Sequence, residues 1–342
     1  MVRPCVYIDY PFFKFLLKKG NENKNPLVRK NQSEYNLLMD FLFDSGIDLV
    51  CHIDEDDQDE FDLIRVLEDY HVQGKVILKK LNKDDFIEEL NKIGQRSPFS
   101  FCCLAIPGEK QQEIIEQKGY NCISANSFDD FLKNQCLKKN SFEVAKDGDI
   151  AGWADFSKLS HEFNTIIFFD SYLFAANNRK DRSRYTDTVS EIICNLIVKN
   201  KSKTVNILIA FPKLKPGLEV NESIETLQKN LKDSLKKKIA NDKSFTIGLA
   251  KISHKRPINH DRLIFTNFMV LFSGDSFNYF EKGKIPSIET VLTSYSILDW
   301  QNNFQAYLKK LQKLKKVIPQ VDKLGHQTVR SGNCDLEFLK VF

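Results

Sequence analysis

Three groups of side chains have the residue types and spacing that chemistry uses. The first is acidic. Asp9, and then the pair Asp54 and Asp56, each follow a short apolar run, and α/β proteins place ligands outside the carboxyl ends of such strands. Carboxylates gathered there would suit Mg²⁺, a hard cation that takes oxygen ligands, as in small metal-dependent nuclease domains. The same run, DEDDQDE, also reads as solvated charge at the start of the following helix, where the dipole favours it. The second group is basic: Arg179, Lys180, Arg182 and Arg184, then residues 254–256 (HKR), then Lys309, Lys310, Lys313, Lys315 and Lys316 on a late helix. Together they would present a cationic face to phosphates, or would simply solubilise surface helices. Almost no aromatic residues interleave with the lysines, so base stacking on those helices is not indicated. The third group lies in residues 259–280, NHDRLIFTNFMVLFSGDSFNYF. His260, Asp261 and Arg262 precede two apolar runs parted by Asn267, and a Ser-Gly-Asp-Ser turn follows. That is a hairpin pattern with polar groups gathered at its ends.

The elements that must position these groups alternate strand and helix. Residues 5–9, 48–53, 75–79, 100–106 and 121–124 read as strands, separated by helical stretches at 11–19, 33–44, 60–70, 84–93, 109–117 and 128–137. Repeated units of this length predict a parallel α/β sheet covered on both faces. Residues 138–163 are polar and irregular and read as a boundary, with Trp153 expected at the interface between domains. Strands follow at 165–170, 204–211 and 245–252, with helices at 186–200 and 221–239, and then comes the hairpin. A further strand region (285–297) and a long helix (298–317) close the pattern. The chain is therefore expected to be α/β with two domains, 1–140 and 160–342.

Composition agrees with a folded chain and excludes several classes. Of 342 residues 42% are hydrophobic and 28% charged, which is the balance of a globular protein rather than a disordered one. Fifty basic residues against 46 acidic ones leave a net charge of +4, too little to argue for nucleic acid by itself. Eight cysteines at 5, 51, 102, 103, 122, 136, 194 and 334 form no CxxC pair and read as reduced core thiols. No disulfide scaffold, metal centre or cofactor is expected, and no Gly-rich phosphate loop follows an early strand. The first residues, MVRPCVYIDYPFF, lack a signal peptide's apolar core, and no run approaches the length of a bilayer span. A cytoplasmic protein that does not cross a membrane is expected.

His260, Arg262, Asn267, Gly274 and Ser276 stand in the pattern His-x-Arg-x4-Asn-x6-Gly-x-Ser. This resembles a degenerate, single-copy form of the phospholipase D superfamily signature, His-x-Lys-x4-Asp followed by Gly-Ser-x-Asn. The resemblance covers roughly residues 160–300 and extends to members of that superfamily that bind without catalysing and to similar domains of prokaryotic defence proteins. It implies a C-terminal phospholipase D-like α/β/α domain. On it, His260 would be nucleophile or acid, and Arg262, in the lysine's place, would grip phosphate. Asn267, in the aspartate's place, would hydrogen-bond, and Ser276 would give polar support after the glycine. The family pairs two motifs where this chain carries one.

Three readings stand side by side. The first is a phosphate- or nucleic-acid-binding component of a bacterial phage-defence or stress system, without efficient catalysis and with DNA or RNA as partner. The second is a metal-independent phosphodiesterase or nuclease, whose single motif would require a homodimer that brings two His260 side chains together. The third is a scaffold subunit in a hetero-complex with a defence-system protein.

Overall fold

The computed structural model describes residues 2–23, 32–44, 46–53, 58–105, 109–134, 141–171, 173–174, 182–212, 222–252, 262–281, 285–286, 289–324 and 327–342. The chain is mixed α/β, with one parallel sheet and one mixed sheet. It divides into two compact units: residues 1–138 with 295–305 and 341, and residues 139–294 with 306–340 and 342.

In the first unit, strands and helices alternate as β1 (Cys5–Ile8), α1 (Tyr10–Asn23), α2 (Gln32–Asp44), β2 (Ile47–His52), α3 (Gln58–Val72), β3 (Val76–Leu81), α4 (Lys83–Asn91), β4 (Ser100–Cys103), α5 (Glu109–Glu113), β5 (Cys122–Ile123) and α6 (Phe128–Asn134). The sheet order is β3-β2-β1-β4-β5 with every neighbouring pair parallel. β1 is central and buried along its whole length, as a strand covered on both faces must be. Its Cys5 lies between Asp48 and Ser100. At its exit Asp9 turns inward, 1% exposed, and its carboxylate accepts N–H bonds from Phe12 (2.8 Å) and Ala105 (2.9 Å). It thus caps α1 and ties the end of β4 to β1. Asp54 and Asp56, the carboxylates weighed with Asp9 as Mg²⁺ ligands, lie outside the described residues.

The second unit begins with β6 (Ser141–Val144), in a stretch whose composition reads as linker. β7 (Thr165–Asp170), α7 (Arg182–Ile197), β8 (Thr204–Pro212), α8 (Ile224–Lys238) and β9 (Ser244–Ile252) follow, the three strands pairing in parallel. The chain then reverses into the hairpin β10 (Arg262–Thr266) and β11 (Met269–Ser273), and β10 lies antiparallel to β7. A small ribbon of β12 (Phe280–Glu281) and β13 (Ile285–Pro286) precedes β14 (Thr290–Ser296). After α9 (Gln305–Val317) come a second ribbon, β15 (Lys323–Leu324) with β16 (Gln327–Thr328), then β17 (Arg330–Gly332) and α10 (Glu337–Lys340). The main sheet has the order β17-β9-β8-β7-β10-β11-β14-β6. Trp153, in a 3₁₀ turn, packs on Phe156 and Phe280 of this unit.

The helix expected over 298–317 is in three pieces. A 3₁₀ turn (Ile297–Asp299) and a π turn (Trp300–Phe304) come before α9. Trp300 stacks on Phe304, and both rings meet Phe99 of the first unit, so ring packing there wins over regular helical spacing.

β17 closes on β9 because two glycines face each other, Gly332 opposite Gly248. A Cβ on Gly248 would stand 2.1 Å from the carbonyl oxygen of Asn333, a contact that only backbone movement relieves. Gly248→Ala is expected to cost about 2 kcal/mol, in the range of overpacked core sites. Urea unfolding at neutral pH measures this as a lower midpoint at unchanged slope.

Candidate functional site

The site grows from the exit of β7. TIIFFD is buried at all six positions, so its terminal Asp170 reaches the carboxyl edge of the sheet with no exposed surface. A carboxylate taken out of water needs hydrogen-bond donors. One oxygen, Oδ2, accepts from the Ser276 hydroxyl (2.7 Å) and from the backbone N–H of Phe277 (2.8 Å). Arg262, the first residue of β10, holds the register position directly opposite Asp170.

Arg262 is half-buried, and its Nη1 donates to the carbonyl oxygen of Gly274 (2.6 Å). The strand therefore places the residue, and the turn that follows the hairpin holds its guanidinium. Gly274 matters sterically: a Cβ there would come within 3.1 Å of Thr290 Oγ1, and its N–H reaches the Val291 carbonyl of β14. Beneath the turn the Tyr279 hydroxyl donates to Ser273 Oγ, and that hydroxyl donates onward to the carbonyl of Asp275 (2.5 Å). Burial pushes the Tyr279 phenol far up, and the nearby carboxylates of Asp170 and Asp275 push the same way against Ser273 and Arg262. The phenol therefore stays protonated and acts as a fixed donor.

The motif residues divide between two places. Arg262, Gly274 and Ser276 come together around Asp170. Asn267 does not join them, because it sits beyond the other end of β10, roughly 16 Å away at the rise of an extended strand. It is 1% exposed, and its Oδ1 accepts the N–H of Asn164 (3.0 Å), tying the hairpin turn to the start of β7. His260 and Asp261 lie outside the described residues, as do Arg179, Lys180 and residues 254–256. Asp170 and Tyr279 are site residues that the motif does not name. The readable signal for Asp170 was an aspartate ending a wholly apolar strand.

Near Asn267 a histidine is buried. His161 is flanked by Phe163 and Phe268, with Nδ1 against the Leu159 carbonyl (3.0 Å) and Nε2 against Thr266 Oγ1 (2.7 Å). A carbonyl only accepts, so Nδ1 carries the proton and Nε2 accepts from the threonine. Burial is the main cause that brings this imidazole down to about 4, the bond to Leu159 opposing it. Among the described residues no group of three or more His, Cys, Asp or Glu side chains is placed to hold a metal ion. No helix among them is long and apolar enough to cross a membrane.

Comparison with known protein families and with characterised proteins finds no match. Among solved structures the chain is similar to TrmBL2, an archaeal chromatin protein with a novel mode of DNA binding, at 14% identity and a TM-score of 0.22. That likeness covers 51% of this chain and 54% of the archaeal one, so the chain spans about half the length of that neighbour.

The neutral His161 predicts a pH dependence. Its folded value lies below the ordinary 6.5, so the unfolded chain binds the extra proton between the two values. The contribution is complete above about 6.5 and is lost as pH falls toward 4, amounting to about 3 kcal/mol at one unit per 1.4 kcal/mol. Glu162, raised by burial, acts in the opposite sense just above its ordinary 4.5. Urea unfolding between pH 7 and pH 5 is expected to lose stability in the native chain, with a smaller loss in His161→Gln.

Proposed function

We propose that the second unit binds a phosphate-bearing ligand, with nucleic acid as its class, at the carboxyl edge of β7. The observation that carries this reading is Arg262, half-exposed and held by the Gly274 carbonyl opposite the buried Asp170. A guanidinium fixed in this way meets phosphate with little loss of side-chain freedom and through paired donors. The resemblance of residues 260–276 to the phospholipase D signature supports the same reading, with His260 two residues before the arginine. Asn267 stands where that signature has aspartate and is spent on Asn164, so binding is favoured over turnover. Residues 254–256, next along the chain, would add positive charge for the strand to cross.

Fluorescence anisotropy with labelled DNA and RNA oligonucleotides at low salt tests this. Arg262→Gln is expected to weaken binding about tenfold, the worth of one charge-assisted hydrogen bond, and to lower the salt slope by about one. Arg262→Lys should recover part of the loss. Failure of the native chain to retain any oligonucleotide at low salt would sink the proposal. Cleavage of the oligonucleotide in the presence of a chelator, abolished in His260→Ala, would instead establish the hydrolytic reading.

A further inference from the structure

A second concave site lies in the same unit, between the carboxyl end of β9, the end of α9 and the ribbon β15–β16. Pro319 explains why it exists. Proline cannot continue the helix, so the chain leaves α9 after Val317 and turns into the ribbon. Two backbone bonds hold the return: Val329 N–H donates to the Asp322 carbonyl (2.7 Å), and Lys251 N–H donates to the Val329 carbonyl (2.8 Å). The space enclosed is a cleft of about 370 Å³, the size of small-molecule sites.

Its wall is aliphatic. Ile252, Ile318 and Val329 form the buried side, and Val321 and Leu324 complete it while remaining 51% and 60% exposed. Water-facing aliphatic side chains grouped on one concave surface would gain from an apolar occupant. Val317 and Pro319 add to the apolar part, and the polar part is Gln320, Gln327 and two lysines, so its charge is positive. Lys251 and Lys316 stand at the cleft, and among the described residues no aspartate or glutamate lines it. The flanking helix α9 carries five lysines and no acidic residue. Lys316 has no carboxylate partner among the described residues, whereas the nearest acid in sequence, Asp322, lies 3.6 Å from Arg330 Nε. The helix end offers carbonyls rather than N–H groups, so recognition of an anion there falls to the lysines.

We infer that this cleft binds a small amphipathic carboxylate, with its aliphatic body against Val321, Leu324 and Ile252 and its charged head at Lys316 and Lys251. The site is separate from the Arg262 site and does not depend on its function.

Calorimetric titration of the full chain with decanoate, below its micelle concentration, tests the inference. Binding is expected, with inorganic phosphate giving no heat and decyltrimethylammonium binding at least tenfold more weakly. Lys316→Gln is expected to weaken decanoate about fivefold. Leu324→Asp, at an exposed position, should abolish binding while leaving oligonucleotide binding unchanged. Equal affinity for the cationic amphiphile, or native-like affinity in both variants, would overturn the proposal. So would displacement of decanoate by a single-stranded oligonucleotide, which would assign the lysines to a nucleic-acid strand instead.

Discussion

The second unit depends on how one buried carboxylate is satisfied. Asp170 ends a strand whose every side chain is apolar and enclosed, so it emerges where no water can solvate it. The donors come from a segment more than a hundred residues later, the Ser276 hydroxyl and the Phe277 N–H. Removing a buried acceptor from such donors costs about 1–3 kcal/mol for each donor left unpaired. The turn after the hairpin is therefore bound to the parallel strands by polar contacts as well as by packing, and Arg262 is positioned as a consequence.

The first unit solves the same problem in the same way. Asp9 also ends a central, fully buried strand, and it also folds inward to take N–H groups of the next helix and of a neighbouring strand. In each unit an aspartate at a strand exit satisfies exposed backbone donors where the sheet edge would leave them orphaned. An aspartate after an apolar run is a familiar mark of a ligand site, yet here both carboxylates already have protein donors. Other groups of the second unit reach the surface, among them the half-exposed Arg262 at one place and Lys316 with Leu324 at another.

Much of this was legible along the chain. Continuous apolar runs located β1, β2, β7, β8 and β9 to within a residue or two, because each must bury nearly its whole length. β6 was not legible. Its four residues alternate between exposed and buried at an outer position of the sheet, and so short a pattern is indistinguishable from polar linker. The ribbon, β17 and α10 were missed for a similar reason, since two to four residues carry no period. The motif groups His260, Arg262, Asn267, Gly274 and Ser276, of which the fold brings Arg262, Gly274 and Ser276 together around Asp170. Asn267 lies a strand's length away, which the apolar run between it and Arg262 already implied, because five residues of extended strand part them.

The sequence by itself determined the order and type of the main elements, and which helices carry the lysines. These follow from burial periodicity and turn chemistry, which act over a few residues. Only the tertiary structure decided that Asp170 and Asp9 are consumed as internal acceptors, that Arg262 meets Gly274, and that the end of α9 folds over β9 to enclose a cleft. Those outcomes join segments many residues apart. They are set by which buried donors find which acceptors once the sheets have formed.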